Sequence, residues 1–192
     1  AEGGRDRTVT WSQGQLQGPQ IKYHPSGQVA VQTEYVQGVP HGEERSFYPD
    51  GSSRHVGQWT RGLRSGAWLH LSPEGRLLRE EHSFIAAGRE SGYLETVFDD
   101  QGQPTMQTLM VREGEGQHGW VSEWHPSGAQ AALVEYRDGR RDGLDVSWSA
   151  EGVRLREGRL EADLRVGPWS WWDERGRLTR RAVYEAGREV PA

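Results

Sequence analysis

The chain has 192 residues, no cysteine, a net charge of −5 and a mean hydropathy of −0.86, and a third of it is hydrophobic. This composition excludes disulfides and thiolate metal sites, holds no apolar run long enough for a membrane-spanning helix, and argues against a thick two-layer core. Its 23 basic and 28 acidic residues are interleaved without a basic face, so neither nucleic acid nor strong membrane binding is expected.

Along the chain, residues 1–8 carry no pattern and are expected to be an N-terminal tail. Trp11, Gly14 and Gly18 then form a half-unit over residues 9–18. From there glycine recurs at Gly18, Gly42, Gly66, Gly92, Gly119, Gly143 and Gly167, in steps of 24, 24, 26, 27, 24 and 24 residues. A second series, Gly27, Gly51, Gly75, Gly102, Gly128, Gly152 and Gly176, keeps the same beat. Four residues before each member of the second series stands a large apolar residue: Tyr23, Phe47, Leu71, Phe98, Trp124, Trp148 and Trp172. Eight or nine residues after each comes another: Tyr35, Trp59, Phe84, Met110, Tyr136, Leu160 and Tyr184. A period in this range marks a repeat architecture whose units bury apolar surface against their neighbours.

Within a unit the apolar spacing is two. Val29, Val31, Thr33 and Tyr35 alternate with Ala30, Gln32 and Glu34, the signature of a half-buried strand. Turn signals about 12 residues apart leave room for strands of five or six residues. His24-Pro25-Ser26-Gly27, Pro49-Asp50-Gly51 and Asp138-Gly139 supply the turn chemistry. The expected fold is all-β: an elongated, single-layer, twisted antiparallel sheet of about seven 24-residue β-hairpin repeats. One repeat domain over residues 9–192 would hold about 14–15 strands. Nine tryptophans, six tyrosines and three phenylalanines are numerous enough for an aromatic ladder to hold so thin a structure together. The unit from Gly92 to Gly119 is stretched and poor in aromatics. The next but one has Leu160 and Asp163 where its siblings have an aromatic and a glycine. Local bulges or longer loops are expected at both.

Candidate chemistry is sparse. His24 and His125 occupy equivalent turn positions four units apart, and His41 and His118 are as far separated, so the seven histidines predict no metal site and no cofactor. The adjacent acids Glu43-Glu44, Glu80-Glu81 and Asp99-Asp100 point to opposite sheet faces, so no such pair is a catalytic dyad by itself. Cross-strand dyads are not readable at this level. No nucleophile elbow or phosphate loop is present, and no catalytic residue is expected. Trp124, Trp148 and Trp172 share one offset and are expected to be a buried row. Trp68, Trp169 and Trp171 fall on the opposite pleat, where Trp169 and Trp171 either cap the end of the repeat or form an exposed patch. Trp120, beside a unit start, is not phased by the pattern. Trp68, Trp120, Trp169 and Trp171 are therefore the candidate partner-binding residues.

The units Trp124-His125-Pro126-Ser127-Gly128 through Tyr136-Arg137-Asp138-Gly139, and Phe47-Tyr48-Pro49-Asp50-Gly51 through Trp59-Thr60-Arg61-Gly62, resemble the MORN repeat. The closer likeness is to the bacterial MORN-variant repeat of about 24 residues, and it covers nearly the whole chain. The resemblance implies a scaffold or protein-binding surface, and some bacterial relatives act as antitoxins or immunity proteins. Three functions follow as expectations. The first is a non-catalytic protein-binding or scaffold repeat, in its most specific form neutralising a toxin. The others are a carbohydrate-binding sheet surface and an envelope-associated membrane scaffold. Edge strands invite a homodimer. The start at Ala1 suggests trimming or a removed signal segment, which slightly favours an exported location, periplasm or envelope, over the cytoplasm.

Overall fold

The computed structural model describes residues 6–191, so positions 1–5 of the expected tail lie outside the described residues. The chain divides into two compact units, Ala1–Ser91 and Gly92–Ala192, and the division falls at one of the unit-opening glycines. All regular structure is β. In the first unit the strands are β1 (Arg7–Thr8), β2 (Trp11–Ser12), β3 (Gln15–Leu16), β4 (Gly18–Tyr23), β5 (Val29–Val36), β6 (Val39–Phe47), β7 (Ser53–Thr60), β8 (Leu63–Leu71) and β9 (Leu77–Ala86). β10 (Arg89–Phe98) starts the second. It is followed by β11 (Pro104–Glu113), β12 (Gly116–Trp124), β13 (Gln130–Arg137), β14 (Arg140–Trp148), β15 (Arg154–Glu161), β16 (Leu164–Trp172), β17 (Leu178–Glu185) and β18 (Arg188–Val190).

Within each unit the sheet is a single-layer antiparallel meander, β4 to β9 in the first and β10 to β18 in the second. β1, inside the expected tail, joins the first through Arg7↔Lys22 and Thr8↔Ile21, while β2 and β3 form a separate small hairpin. Most strands run eight to ten residues rather than five or six, because the connections are very short. One kind is a two-residue turn with positive φ at both positions, as in Gln37-Gly38, Arg61-Gly62, Asp138-Gly139 and Ala186-Gly187. Such turns match the twist of the strands they join. Their N–H groups also reach the previous hairpin: Gly62 N–H donates to Pro40 O at 2.8 Å and Gly187 N–H to Arg165 O at 2.9 Å.

The other kind repeats seven times. At His24, Tyr48, Ser72, Asp99, His125, Ser149 and Asp173 the backbone N–H donates to the carbonyl four residues on, and the carbonyl accepts from the glycine three residues on. The side chain at this position then does one of two things, according to its reach. Long donors cross to the next repeat. His24 Nε2–H donates to Phe47 O at 3.0 Å, Tyr48 Oη–H to Leu71 O at 2.9 Å and His125 Nε2–H to Trp148 O at 2.9 Å. Short acceptors close their own turn, as Asp99 does for the N–H groups of Gln101 and Gln103. The two equivalent histidines are thus inter-repeat staples.

Four hairpins are broken by a bulge that sets three residues, opening on or centred on a unit-opening glycine, against one on the partner strand. They lie in β5–β6, β7–β8, β13–β14 and β15–β16. The stretched unit, expected to bulge, does so between β10 and β11, where the register shifts between Val97 and Phe98; β11 and β12, by contrast, pair without interruption from Met106↔Glu123 to Glu113↔Gly116. The four bulges carry a positive-φ glycine, Gly42, Gly66, Gly143 or Gly167, whereas Gly119 is extended and packs flat, with Leu109 O and Met110 Cα occupying the space a Cβ would need. The unit carrying Leu160 and Asp163 keeps the ordinary two-residue turn. Ala162 and Asp163 take φ of 48° and 73°, and the Asp163 carboxylate holds Arg141. Leu160 there is buried to 4% exposure, so neither substitution lengthens a loop.

Candidate binding surface

Burial falls on the pleat opposite to the one expected. Trp68 and Trp169, each 1% exposed, are the largest fully buried side chains among the described residues, whereas Trp124, Trp148 and Trp172 are half-buried. Those three rings do share a face, but they make no ring contact with one another. They stand two strands apart, about 10 Å, and Gln130 and Arg154 lie opposite the first two on the strands between. The continuous aromatic row is therefore absent, and the core belongs to the second apolar series. Trp59 meets Trp68 edge-on at 5.2 Å, and Leu160, Ala182 and Tyr184 surround Trp169.

Each buried tryptophan is seated by a glycine on the neighbouring strand. A Cβ at Gly57 would stand 2.2 Å from Trp68 Cδ2, and one at Gly158 2.1 Å from Trp169 Cδ2. The bulge swings each ring over that glycine. Each indole N–H then donates to the next carbonyl, Gln58 O at 3.2 Å and Arg159 O at 3.1 Å. An arginine four residues earlier covers the ring: Arg64 Cζ lies 4.3 Å from the Trp68 centroid and Arg165 Cζ 4.7 Å from that of Trp169. Glycine, arginine and tryptophan are each displaced by 101 residues between the two sites, so the same socket is built once in each unit. Trp68 and Trp169 therefore offer no exposed ring to a partner. Trp171 is half-buried, stacked on Trp169 at 6.0 Å and covered by Arg180 at 4.8 Å.

Beside the first socket lies a polar network that the sequence pattern did not reveal. The Ser46 hydroxyl donates to His55 Nδ1 at 2.6 Å, and His55 Nε2–H donates to Glu44 Oε1 at 3.1 Å. Thr33 Oγ1 and Trp59 Nε1 donate to Glu44 Oε2 at 2.7 and 3.1 Å. Burial pushes the Glu44 carboxyl up, but hydrogen bonds from His55, Thr33 and Trp59 outweigh it and hold the group below the usual carboxylate range. Hydroxyl, imidazole and carboxylate follow the order of a hydrolytic triad. Ser46 is only 3% exposed, however, so its oxygen has no room for an incoming carbonyl carbon. The chain of hydrogen bonds anchors His55 against Trp68, 5.8 Å between centroids, with His70 of the same strand as Trp68 at 5.9 Å. Burial, then the charges of Arg79 and His55, depress His70 to about 4.

Trp120 is different. Pleat alternation puts it on the face of Ser122 and Trp124, directly between Leu109 and Glu135 in the ladder. There it lines an open groove of about 630 Å³ in the second unit, with Leu109, Val111 and His118 as further walls. Carboxylates of Glu113, Glu135, Asp138 and Asp142 edge it, with Arg137 the one basic lining residue. The Leu144 N–H donates to Glu135 Oε2 at 2.7 Å and the Gln117 N–H to Asp138 Oδ1 at 2.8 Å, fixing both carboxylates. Of the four tryptophans singled out by sequence, Trp120 lines this groove, and the buried Trp169 lies at the floor of a smaller depression of about 360 Å³ with Pro168 and Val183.

A model described as "MORN repeat variant" matches residues 16–37. No curated protein matches the sequence. Among solved structures, one described as "Crystal Structure of TcdB2-TccC3" is similar at 12% identity, with a TM-score of 0.26. The match covers 94% of this chain and 10% of that one, so the chain spans about a tenth of the length of the structure it matches. The match at residues 16–37 spans β4 and β5 and supports a MORN-type repeat over that hairpin, whose positive-φ glycines return at the same spacing in the later hairpins.

Proposed function

We propose that the chain is a non-catalytic repeat protein that presents a sheet face to another protein. The groove around Trp120 carries this reading: an indole, two aliphatic side chains and an acidic edge that includes the fixed carboxylates of Glu135 and Asp138 lie together. Apolar centres with polar rims are the usual composition of protein-binding patches. In its most specific form the partner is a toxin that the protein neutralises. That version draws support from the resemblance to bacterial MORN-variant antitoxins and from the net charge of −5, which favours a basic partner.

Site-specific photo-crosslinking tests the reading. A photoreactive residue replacing His118 is expected to give a defined protein adduct in extract from the native host, and the same residue replacing Gln32 is not. If both positions give the same adducts, or neither gives any, the reading fails.

A further inference from the structure

We infer that the groove over Trp120 receives an arginine side chain from the partner, its guanidinium held between the indole face and the Glu135 carboxylate. This rests on the protein-binding reading and assigns the chemistry of what is bound. The precedent is internal. Trp68 and Glu81 are direct cross-strand neighbours, and Arg64 fills the space over both: its Cζ lies 4.3 Å from the Trp68 centroid and its Nη1 donates to Glu81 Oε1 at 2.9 Å. Trp120 and Glu135 are also a tryptophan–glutamate cross-strand pair, on the pleat of Trp124 and without the bulge that seats Trp68. Arg64 and Arg165 precede their tryptophans by four residues; the residue four before Trp120 is Gly116, which lines the groove and leaves the indole uncovered. Among the described residues Trp68, Trp169, Trp171 and Trp172 each have an arginine within about 6 Å, whereas Trp120, like Trp11, Trp59, Trp124 and Trp148, has none, and of these five only Trp120 lines the acidic groove.

The charges agree. Four acidic residues, Glu113, Glu135, Asp138 and Asp142, line the groove against Arg137 and His118, which stand 4.0 Å from Asp142 and 3.7 Å from Glu113, so the lining carries an acidic excess. Glu135 is already held by the Leu144 N–H, with its Oε2 against Gly143, so its carboxylate is fixed at the β14 side of the groove before a ligand arrives. A planar cation that stacks on indole and donates to a carboxylate suits this geometry better than an ammonium does.

The test uses the whole chain and an eight-residue peptide alternating arginine and glycine, with the citrulline version as an isosteric neutral control. Titration followed by the indole N–H signals in NMR is expected to move Trp120 first, with citrulline binding at least tenfold weaker. Trp120→Ala should weaken the arginine peptide at least tenfold. Gly116→Arg, which adds a side chain at a position with ordinary φ, should also weaken it tenfold or more by filling the groove from within; Trp124→Ala should leave it within twofold. Equal binding of citrulline, no effect of Trp120→Ala and Gly116→Arg, or no binding of the arginine peptide at millimolar concentration would overturn the inference. A specific adduct from position 118 alongside any of these results would keep the protein-binding reading and remove only the arginine.

Discussion

Gly158→Ala tests the seat of Trp169. The added methyl would lie 2.1 Å from Trp169 Cδ2, 2.3 Å from Cε2 and 2.6 Å from Cγ. Carbon atoms settle at about 3.5 Å or more, so the ring has to move by at least ~1.4 Å. It has no slack, because its N–H is bonded to Arg159 O and Tyr184, Trp171 and Arg165 pack around it. Forcing extra volume into a filled core costs about 1–3 kcal/mol. Complete expulsion of the ring sets a ceiling of about 3–5 kcal/mol, the usual cost of losing a buried tryptophan. The expected destabilisation is therefore about 2–4 kcal/mol, large for a single methyl group. Repeat proteins open unit by unit, so the assay is amide hydrogen exchange, comparing β15–β16 with β7–β8. Protection should fall in the former pair and hold in the latter. Trp169→Ala supplies the decisive control: with the ring gone, Gly158→Ala should cost less than about 0.5 kcal/mol further. If the two substitutions instead add, the methyl acts through something other than the ring, and the seating argument is wrong.

Acid should loosen the first unit. His70 is depressed to about 4 in the folded state, so below its ordinary value of 6.5 the unfolded chain takes up a proton that the folded one refuses; stability falls as pH drops from about 6.5 towards 4. Glu44, held below its ordinary range, adds a loss of the same sign at still lower pH. His70→Gln, whose amide oxygen can accept from Arg79 as Nε2 does now, should flatten the upper part of the profile in urea melts at stepped pH; an unchanged slope would remove His70 as its source. His125→Ala breaks the staple to Trp148 O and should cost about 1 kcal/mol, with exchange accelerated at the turn around His125. His41→Ala, which removes only the long 3.4 Å bond from the exposed Arg61 N–H, should change exchange at the Arg61-Gly62 turn by less than a third as much.

Much of the architecture was legible along the chain because its causes are local. Gly38, Gly62 and Gly187 are required by positive-φ turns, and the two-residue alternation of β5 follows from the pleat. Even the contrast between Arg64–Trp68, Arg165–Trp169 and Gly116–Trp120 stands in the sequence as a four-residue spacing, where it could have been found. What the chain alone could not decide was which face is interior. Two apolar series run in parallel, Tyr23 to Trp172 and Tyr35 to Tyr184, and they lie on opposite faces with similar hydrophobicity. The choice was made across strands. A bulge swings Trp68 over Gly57 and Trp169 over Gly158, and only a partner without a Cβ lets an indole lie that close to the sheet. The Ser46–His55–Glu44 chain and the Trp120–Glu135 pair likewise depend on register between strands. Residue type and spacing determined that this chain forms hairpins; contact between strands decided which aromatics are core and which one faces an acidic groove.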